Sequence, residues 1–158
     1  MGDRCWLQVT IHPDDIDKIS DGNLLEPDEI NQSCNLPKGV LDYTFYEANY
    51  GHNDDLHAAA AAGVRFRALQ GSGDEYPAMV IVGWDNAVYE AVTDNDYCYT
   101  VSVDVSGNVC EAQLQNVRSF IGIEKRFMDC IRDFSLIQRE IVPLKDWTPC
   151  DETKTLDG

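Results

Sequence analysis

The chain of 158 residues carries 28 acidic and 12 basic residues, a formal net charge of −16, and 44% of its residues are apolar. This length suits one domain with a real core, and the apolar content argues against disorder. The negative field repels nucleic acid and anionic membranes, so direct binding to DNA, RNA or a membrane is not expected. Residues 1–110 hold 19 acids against five bases, which places most of the excess charge in the first two thirds of the chain.

Apolar periodicity predicts the secondary structure in chain order. Strict alternation of apolar residues favours strands, and Pro13 followed by acids favours the start of a helix. The segment 20–39 has turn residues and two prolines but no sustained period, so we expect a long loop there. The predicted elements are a strand over 5–11, a short helix from Pro13, a strand over 40–48, a helix from about 53 that ends at Gly63, strands over 64–69, 78–84, 87–93, 97–105 and 109–114, and a helix over about 119–139.

This order predicts an α+β fold, with a mostly antiparallel or mixed sheet, two short N-terminal helices and one long C-terminal helix. Residues 1–147 are expected to form one domain, and 148–158 a loose C-terminal tail. Glycine and its neighbours at 106–108 predict a hairpin turn between the last two strands.

The six cysteines are widely spaced and include no C-x-x-C pair. The start of the chain lacks the basic and apolar regions of a secretory signal, and no apolar run approaches the length needed to cross a bilayer. A cytoplasmic protein with reduced thiols is therefore expected.

The segment HNDDLH is the clearest candidate for metal or acid–base chemistry. Two metal ligands on one face of a helix need a spacing of three or four residues. His52 and His57 are five residues apart, and the pair of Asp54 with His57 supplies only two ligands. We therefore expect the acidic start of an ordinary helix, capped by Asn53 or Asp54, with no metal and no cofactor.

No other motif of an enzyme class is complete. The GSG at 71–73 is not a nucleophile elbow, and it lacks the lysine and following helix of a phosphate-binding loop. The segment TDNDY at 93–97 resembles the opening of a calcium loop but lacks its later Gly and Glu. A Cys–His or Asp–His site that assembles only in the fold stays open as an alternative.

Acidic residues concentrate at the expected helix starts and turns, where side chains are solvated. Solubility alone is one explanation of this pattern. The other is a functional surface, because exposed carboxylates can imitate the phosphates of a nucleic-acid strand, which follow one another at roughly 6–7 Å. The predicted partner-binding residues are Asp14, Asp15, Asp17, Asp54, Asp55, Asp74, Glu75, Asp85, Asp94 and Asp96.

Two short motifs, E-x-N-Y-G at 47–51 and G-x-G-x-E-Y at 71–76, lie within residues 5–82. This part of the chain resembles small, mostly uncharacterised acidic proteins of phages and other mobile elements. The resemblance implies a phage or plasmid origin, where such proteins often block host defence, as anti-CRISPR and anti-restriction proteins do. The matching residues also have a structural explanation, with Gly allowing positive φ and Tyr providing packing.

Charge and resemblance together predict a non-enzymatic inhibitor in the cytoplasm of a bacterial host. Its expected partner is a basic protein that normally binds nucleic acid, such as a CRISPR or restriction complex. The first alternative is an immunity or regulatory protein that neutralises a basic toxin. The second is a small hydrolase whose site is assembled by the fold.

Overall fold

The computed structural model describes residues 4–32 and 36–134, and within these ranges it confirms the α+β class expected from the sequence. Three short 3-10 helices, at Pro13–Lys18, Asn23–Leu25 and Tyr50–His52, lie between the longer elements. The strands are β1 (Arg4–Ile11), β2 (Glu29–Gln32), β3 (Leu41–Asn49), β4 (Phe66–Gln70), β5 (Met79–Trp84) and β6 (Ala87–Val92), and the helices are α1 (Asn53–Ala61) and α2 (Glu111–Arg132).

The six strands form one sheet in the order β2-β3-β1-β4-β5-β6, and every neighbouring pair is antiparallel. The ends of the strands define two opposite ends of the sheet. At one end, Arg4 of β1 pairs with Asn49, from which the chain continues to His52, and we call this the His52 end. At the other, Ile11 pairs with Phe66 and the chain continues to His12, and we call this the His12 end.

One face of the sheet is covered by α1 and by the first two 3-10 helices. The strand residues that alternate toward this face, such as Leu7, Val9 and Ile11, pack with Leu56 of α1 in one buried cluster. The run of alanines makes α1 thin, so this helix can lie close to the sheet. Gly63, with φ of 92°, follows the end of α1 as expected.

The opposite face is covered by α2, whose 22 residues present one apolar stripe. Phe120, Phe127 and Ile131 are buried there against Val80 and Val82 of β5. Because β5 also contributes Ile81 to the α1 face, both of its faces are buried. This explains its continuous apolar run.

The expected loop over 20–39 is wrong in part, because it contains β2. This strand pairs with β3 from Glu29 opposite Thr44 to Gln32 opposite Leu41. This strand lies at the edge of the sheet and is half-exposed, and its only apolar residue is Ile30. A strand of four mostly polar residues has no apolar alternation from which it could be predicted.

The strands predicted over 97–105 and 109–114 are also wrong. Residues 93–110, which we call the arm, form two tight loops, each closed by one isolated bridge, Thr93 with Tyr99 and Val103 with Val109. In each loop an aspartate carboxylate accepts hydrogen bonds from two backbone N–H groups that follow it, at 2.9 Å around Asp94 and 2.9 Å around Asp104. These side-chain bonds replace the ladder of a hairpin.

Helix α2 begins at Glu111, eight residues before the predicted start, and so includes residues expected to form a strand. Its apolar stripe from Phe120 to Ile131 agrees with the predicted helical spacing, and Phe134 packs in the same cluster just beyond the helix end. The predicted continuation to 139 and the boundary between domain and tail at 147 lie outside the described residues.

Candidate interaction site

The sheet divides the predicted acidic residues between its two ends. Because β1 spans eight residues at about 3.3 Å each, the ends are separated by about 25 Å. These residues therefore do not form a single patch. From the strand registers, Asp54, Asp55, Asp74, Glu75, Asp94 and Asp96 lie at the His52 end, and Asp14, Asp15, Asp17 and Asp85 lie toward the His12 end.

Asp15 does not belong to an exposed acidic surface, since its side chain is 1% exposed. Its carboxylate accepts hydrogen bonds from Arg65 Nε at 2.7 Å and from Lys18 Nζ at 2.9 Å. Burial opposes ionisation of Asp15, but the hydrogen bonds from Arg65 and Lys18 outweigh it and hold its pKa below the ordinary value. Asp15 is therefore a structural residue, and its burial does not agree with the prediction that it binds a partner.

Two further predicted acids are engaged by the protein itself. Asp55 Oδ2 accepts a hydrogen bond from the side-chain amide of Asn23 at 3.0 Å, which ties α1 to the second 3-10 helix. Asp94 holds the first loop of the arm. The other seven predicted acids are exposed: Asp14, Asp17, Asp54, Asp74, Glu75, Asp85 and Asp96.

At the His52 end, a cavity of about 430 Å³ opens between the second 3-10 helix, β3 and His52. Three carboxylates line it, those of Glu26, Asp28 and Glu47, against one basic residue, Arg4. The aromatic rings of Phe45 and Tyr46 and the imidazole of His52 complete its described walls, together with Asn23.

The position of His52 results from an unusual backbone conformation. Tyr50, Gly51 and His52 have φ values of 49°, 62° and 51°, three successive residues in the left-handed region. Two of them are not glycine, and side chains disfavour this region. At Gly51 a Cβ atom would overlap the terminal amide of Gln70, so glycine both suits the φ of 62° and leaves room for that side chain.

His52 occupies the N-cap position immediately before α1, but its side chain makes no capping hydrogen bond. The expected cap by Asn53 or Asp54 is therefore wrong. The ring packs edge-on against Phe45, with centroids 5.1 Å apart, and Nδ1 is buried without a hydrogen-bond partner among the described residues. Buried polar atoms without a protein partner are uncommon.

The electrostatics of the cavity follow from burial and from the carboxylates around it. Burial lowers the pKa of His52, and the negative charges of Asp55 and Asp28 only partly oppose this effect. The imidazole is therefore neutral at pH 7. A neutral ring, two further aromatic rings and several carboxylates form a site suited to a cationic group, such as a lysine or arginine side chain.

The His52 region does not show the geometry of a metal site. His57 lies on the exposed side of α1, whereas His52 precedes the helix. Across residues 4–32 and 36–134, no group of three or more His, Cys, Asp and Glu side chains is arranged to hold a metal ion.

The second cluster of reactive residue types lies at the His12 end. It contains His12 and Cys130, which Arg65 connects. The Arg65 guanidinium donates to Cys130 Sγ at 3.1 Å and lies 3.3 Å from His12 Nδ1. The Asp14 backbone N–H also donates to His12 Nδ1, at 3.2 Å. His12 Nδ1 thus acts as an acceptor of backbone and guanidinium protons, as in a structural cluster, and is not positioned by these contacts as a base toward the thiol.

Sequence reasoning did not select Glu26, Asp28 and Glu47 as site residues. The acidic run over 26–29 was a signal, but only the pairing of β2 with β3 places it beside Glu47 and His52. No pattern in the sequence predicts three consecutive left-handed residues at 50–52.

The residues of the two short motifs hold the His52 end together. Asn49 and Gly51 shape the turn before α1. Gly71 packs on Trp6, and the Tyr76 hydroxyl donates to Cys5 Sγ at 3.3 Å. These contacts favour the structural explanation of the motifs.

Comparison of the chain with protein-family models, with curated proteins and with solved structures found no match. In the part of the chain that the structure describes, no helix combines the length and the apolar character required to cross a membrane.

Proposed function

We propose that this protein is a non-enzymatic inhibitor that binds a basic, nucleic-acid-handling protein through the face that carries α1. The proposed setting is the cytoplasm of a bacterial host, with a phage or plasmid as the source of the protein. A CRISPR or restriction complex would be a partner of the required chemistry.

The charge of one layer is the observation that carries this proposal. Residues 12–28 and 50–63, which we call the acidic layer, contain eight carboxylates and one lysine. They pack on the sheet through Ile16, Leu24 and Leu56, so the layer is a fixed surface. A fixed negative surface attracts a groove that is lined by lysine and arginine to bind phosphates.

The cavity beside the acidic layer supports the same proposal. An interface usually needs a few anchor side chains in pockets in addition to a complementary field. The cavity at His52 offers such a pocket for a lysine or arginine of the partner, since carboxylates and aromatic rings surround it.

The test is capture of partners from a bacterial host lysate with three tagged forms of the full chain. In the first variant, exposed acids of the acidic layer are reversed by Asp21→Lys, Glu26→Lys and Asp54→Lys. In the matched control, Glu111→Lys, Asp129→Lys and Asp133→Lys give the same change of net charge on the other side of the sheet. The native chain is the third form.

We expect the native chain and the control to capture a nucleic-acid-binding protein that added DNA or RNA displaces. The variant of the acidic layer should lose at least 100-fold in affinity for it. Equal loss in both variants would mean that only net charge matters, and equal retention would contradict a role of the acidic layer.

A further inference from the structure

The outer edge of β6 has backbone hydrogen-bonding groups that none of residues 4–32 and 36–134 pairs with. Trp84 and Ala87 face each other across a two-residue turn, which makes them a hydrogen-bonded pair. Alternation along an antiparallel strand then directs the backbone groups of Val88 and Glu90 away from β5. Apart from the β5 pairing, no hydrogen bond of either backbone is found among the described residues.

This free edge has a defined length. The outward carbonyl of Val92 accepts a hydrogen bond from the Thr100 N–H at 3.4 Å, so the arm closes the edge at that point. No described residue pairs with the outward backbone groups of residues 88–91, a stretch of about 14 Å that matches four residues of an added strand. The edge contains no proline or lysine, which proteins commonly use to block such pairing.

A groove of about 460 Å³ runs beside the free edge, between β6, the arm and α2. Val92, Val101 and Val117 supply apolar walls, and Glu90 is the single charged residue among its described lining residues. The exposed large aliphatic side chains of the described residues all lie on or near this part of the molecule: Val92, Val103, Val105, Val109 and Ile121. Their grouping is typical of an interaction surface.

The charge around β6 specifies the kind of segment that would fit. No lysine or arginine occurs between Arg67 and Arg118, whereas Glu90, Asp94 and Asp96 lie along the strand and the arm. We propose that β6 accepts an extended segment of a partner protein as a seventh strand, with a lysine or arginine opposite Glu90 and small apolar side chains on either side of it in the groove.

A second copy of this chain is the competing occupant, because two edge strands can pair with each other. It would bring another net charge of −16 and a second Glu90 to the same edge. This repulsion favours a basic partner over self-association. The inference is independent of the His52 cavity, which lies toward the opposite edge of the sheet.

The experiment is a nuclear magnetic resonance titration of the full chain with the synthetic peptide acetyl-VKVKVK-amide. At saturation we expect the amide signals of Val88 and Glu90 to shift and their hydrogen exchange to slow at least tenfold. The peptide acetyl-VEVEVE-amide controls for the role of charge and should cause neither change. Sedimentation equilibrium of the free chain should give a monomer.

Two substitutions with the same charge change separate the two edges of the sheet. Glu90→Lys on β6 should weaken binding of the basic peptide about tenfold, and Glu29→Lys on β2 should leave it unchanged. Both keep the backbone intact, so loss of folding does not obscure the result. Unshifted signals at Val88 and Glu90, equal effects of the two substitutions, or a dimer in sedimentation would each overturn the proposal.

Discussion

The acidic layer and α2 cover the two faces of the same sheet, and their charges differ sharply. The acidic layer has eight carboxylates and one lysine, whereas α2 has three carboxylates and four lysines and arginines. Both bury an apolar stripe against the strands, so packing on the sheet does not require the difference. Seven of the eight carboxylates, all except Asp15, are exposed or half-buried, so the acidic excess is a property of one solvent-facing surface.

The largest effect of a single substitution should come from the one buried carboxylate of the acidic layer. Asp15→Asn leaves the guanidinium of Arg65, which is 29% exposed, without its anionic partner. We expect the free energy of unfolding at pH 7 to fall by about 2–4 kcal/mol, somewhat less than for a fully buried pair. Asp17→Asn makes the same charge change on an exposed side chain of the same 3-10 helix and should cost less than about 0.5 kcal/mol.

The effect of Asp15→Asn should depend on pH. The folded-state pKa of Asp15 lies below its ordinary value of 3.8, so its contribution to stability is present above that pH and is lost as the pH falls through the folded pKa. Urea denaturation of the native chain, Asp15→Asn and Asp17→Asn at a series of pH values from 7 down to 2 measures this. An Asp15→Asn cost that is constant over this range would contradict the assigned ion pair.

Two glycines, one in the acidic layer and one in α2, should change the stability of the fold in opposite directions when they are replaced by alanine. Gly51→Ala places a Cβ at a φ of 62° and against Gln70, and we expect it to destabilise the fold by about 1–3 kcal/mol. Gly122 lies in α2 with open space around it, and Gly122→Ala should stabilise by about 0.5–1 kcal/mol. Thermal unfolding followed by circular dichroism compares them, and equal signs would show that the left-handed turn is not required.

Asp42 on the α2 face provides the counterpart of Asp15. Burial raises its pKa, although hydrogen bonds from Thr10 and Gln8 oppose this. A raised folded pKa means that ionisation of Asp42 weakens the fold as the pH rises through it. We expect Asp42→Asn to change stability by less than about 1 kcal/mol at pH 7 and to compare less favourably with the native chain at pH 3. Urea denaturation at both pH values checks the sign.

The elements that could be predicted are those with one apolar face, because burial of that face produces a regular spacing of apolar residues in the sequence. The alternation in β1, β3 and β4 marks their buried faces, and the helical spacing of α2 marks its stripe. The strands predicted for the arm are wrong because its residues alternate as in a strand, while the Asp94 and Asp104 side chains accept hydrogen bonds from the arm's own backbone. Local side-chain bonds of this kind compete with a ladder that the pattern alone suggests.

The candidate site was less predictable, because it depends on contacts between distant residues. The acidic character of the surface is evident from composition. However, the burial of Asp15 depends on Arg65, fifty positions later, and the cavity combines Asp28, Glu47 and His52 from separate elements. Sequence patterns describe only the neighbours of a residue along the chain. They therefore do not distinguish a carboxylate that is buried in the fold from one that is exposed.

The smallest effects are expected for single exposed carboxylates of the acidic layer. Each ion pair with a partner is worth about 0.2–1 kcal/mol, so Asp54→Asn should weaken binding of the captured partner less than tenfold. The same physics makes the summed attraction sensitive to salt, because the screening length falls from about 30 Å at 0.01 M to about 8 Å at 0.15 M. Affinity should therefore drop steeply over this range in isothermal titration calorimetry.

The two measurements together separate a binding surface from a catalytic site. In a catalytic site, substitution of one residue removes nearly all activity, while substitution of neighbouring charged residues has little effect. A distributed surface shows the reverse, with small single effects and a strong dependence on salt. His57, exposed and three residues beyond Asp54, gives the matched single substitution, and His57→Ala should leave the affinity unchanged. If this substitution or Asp54→Asn abolished the function while binding persisted, the protein would be an enzyme, and its acidic layer would serve solubility alone.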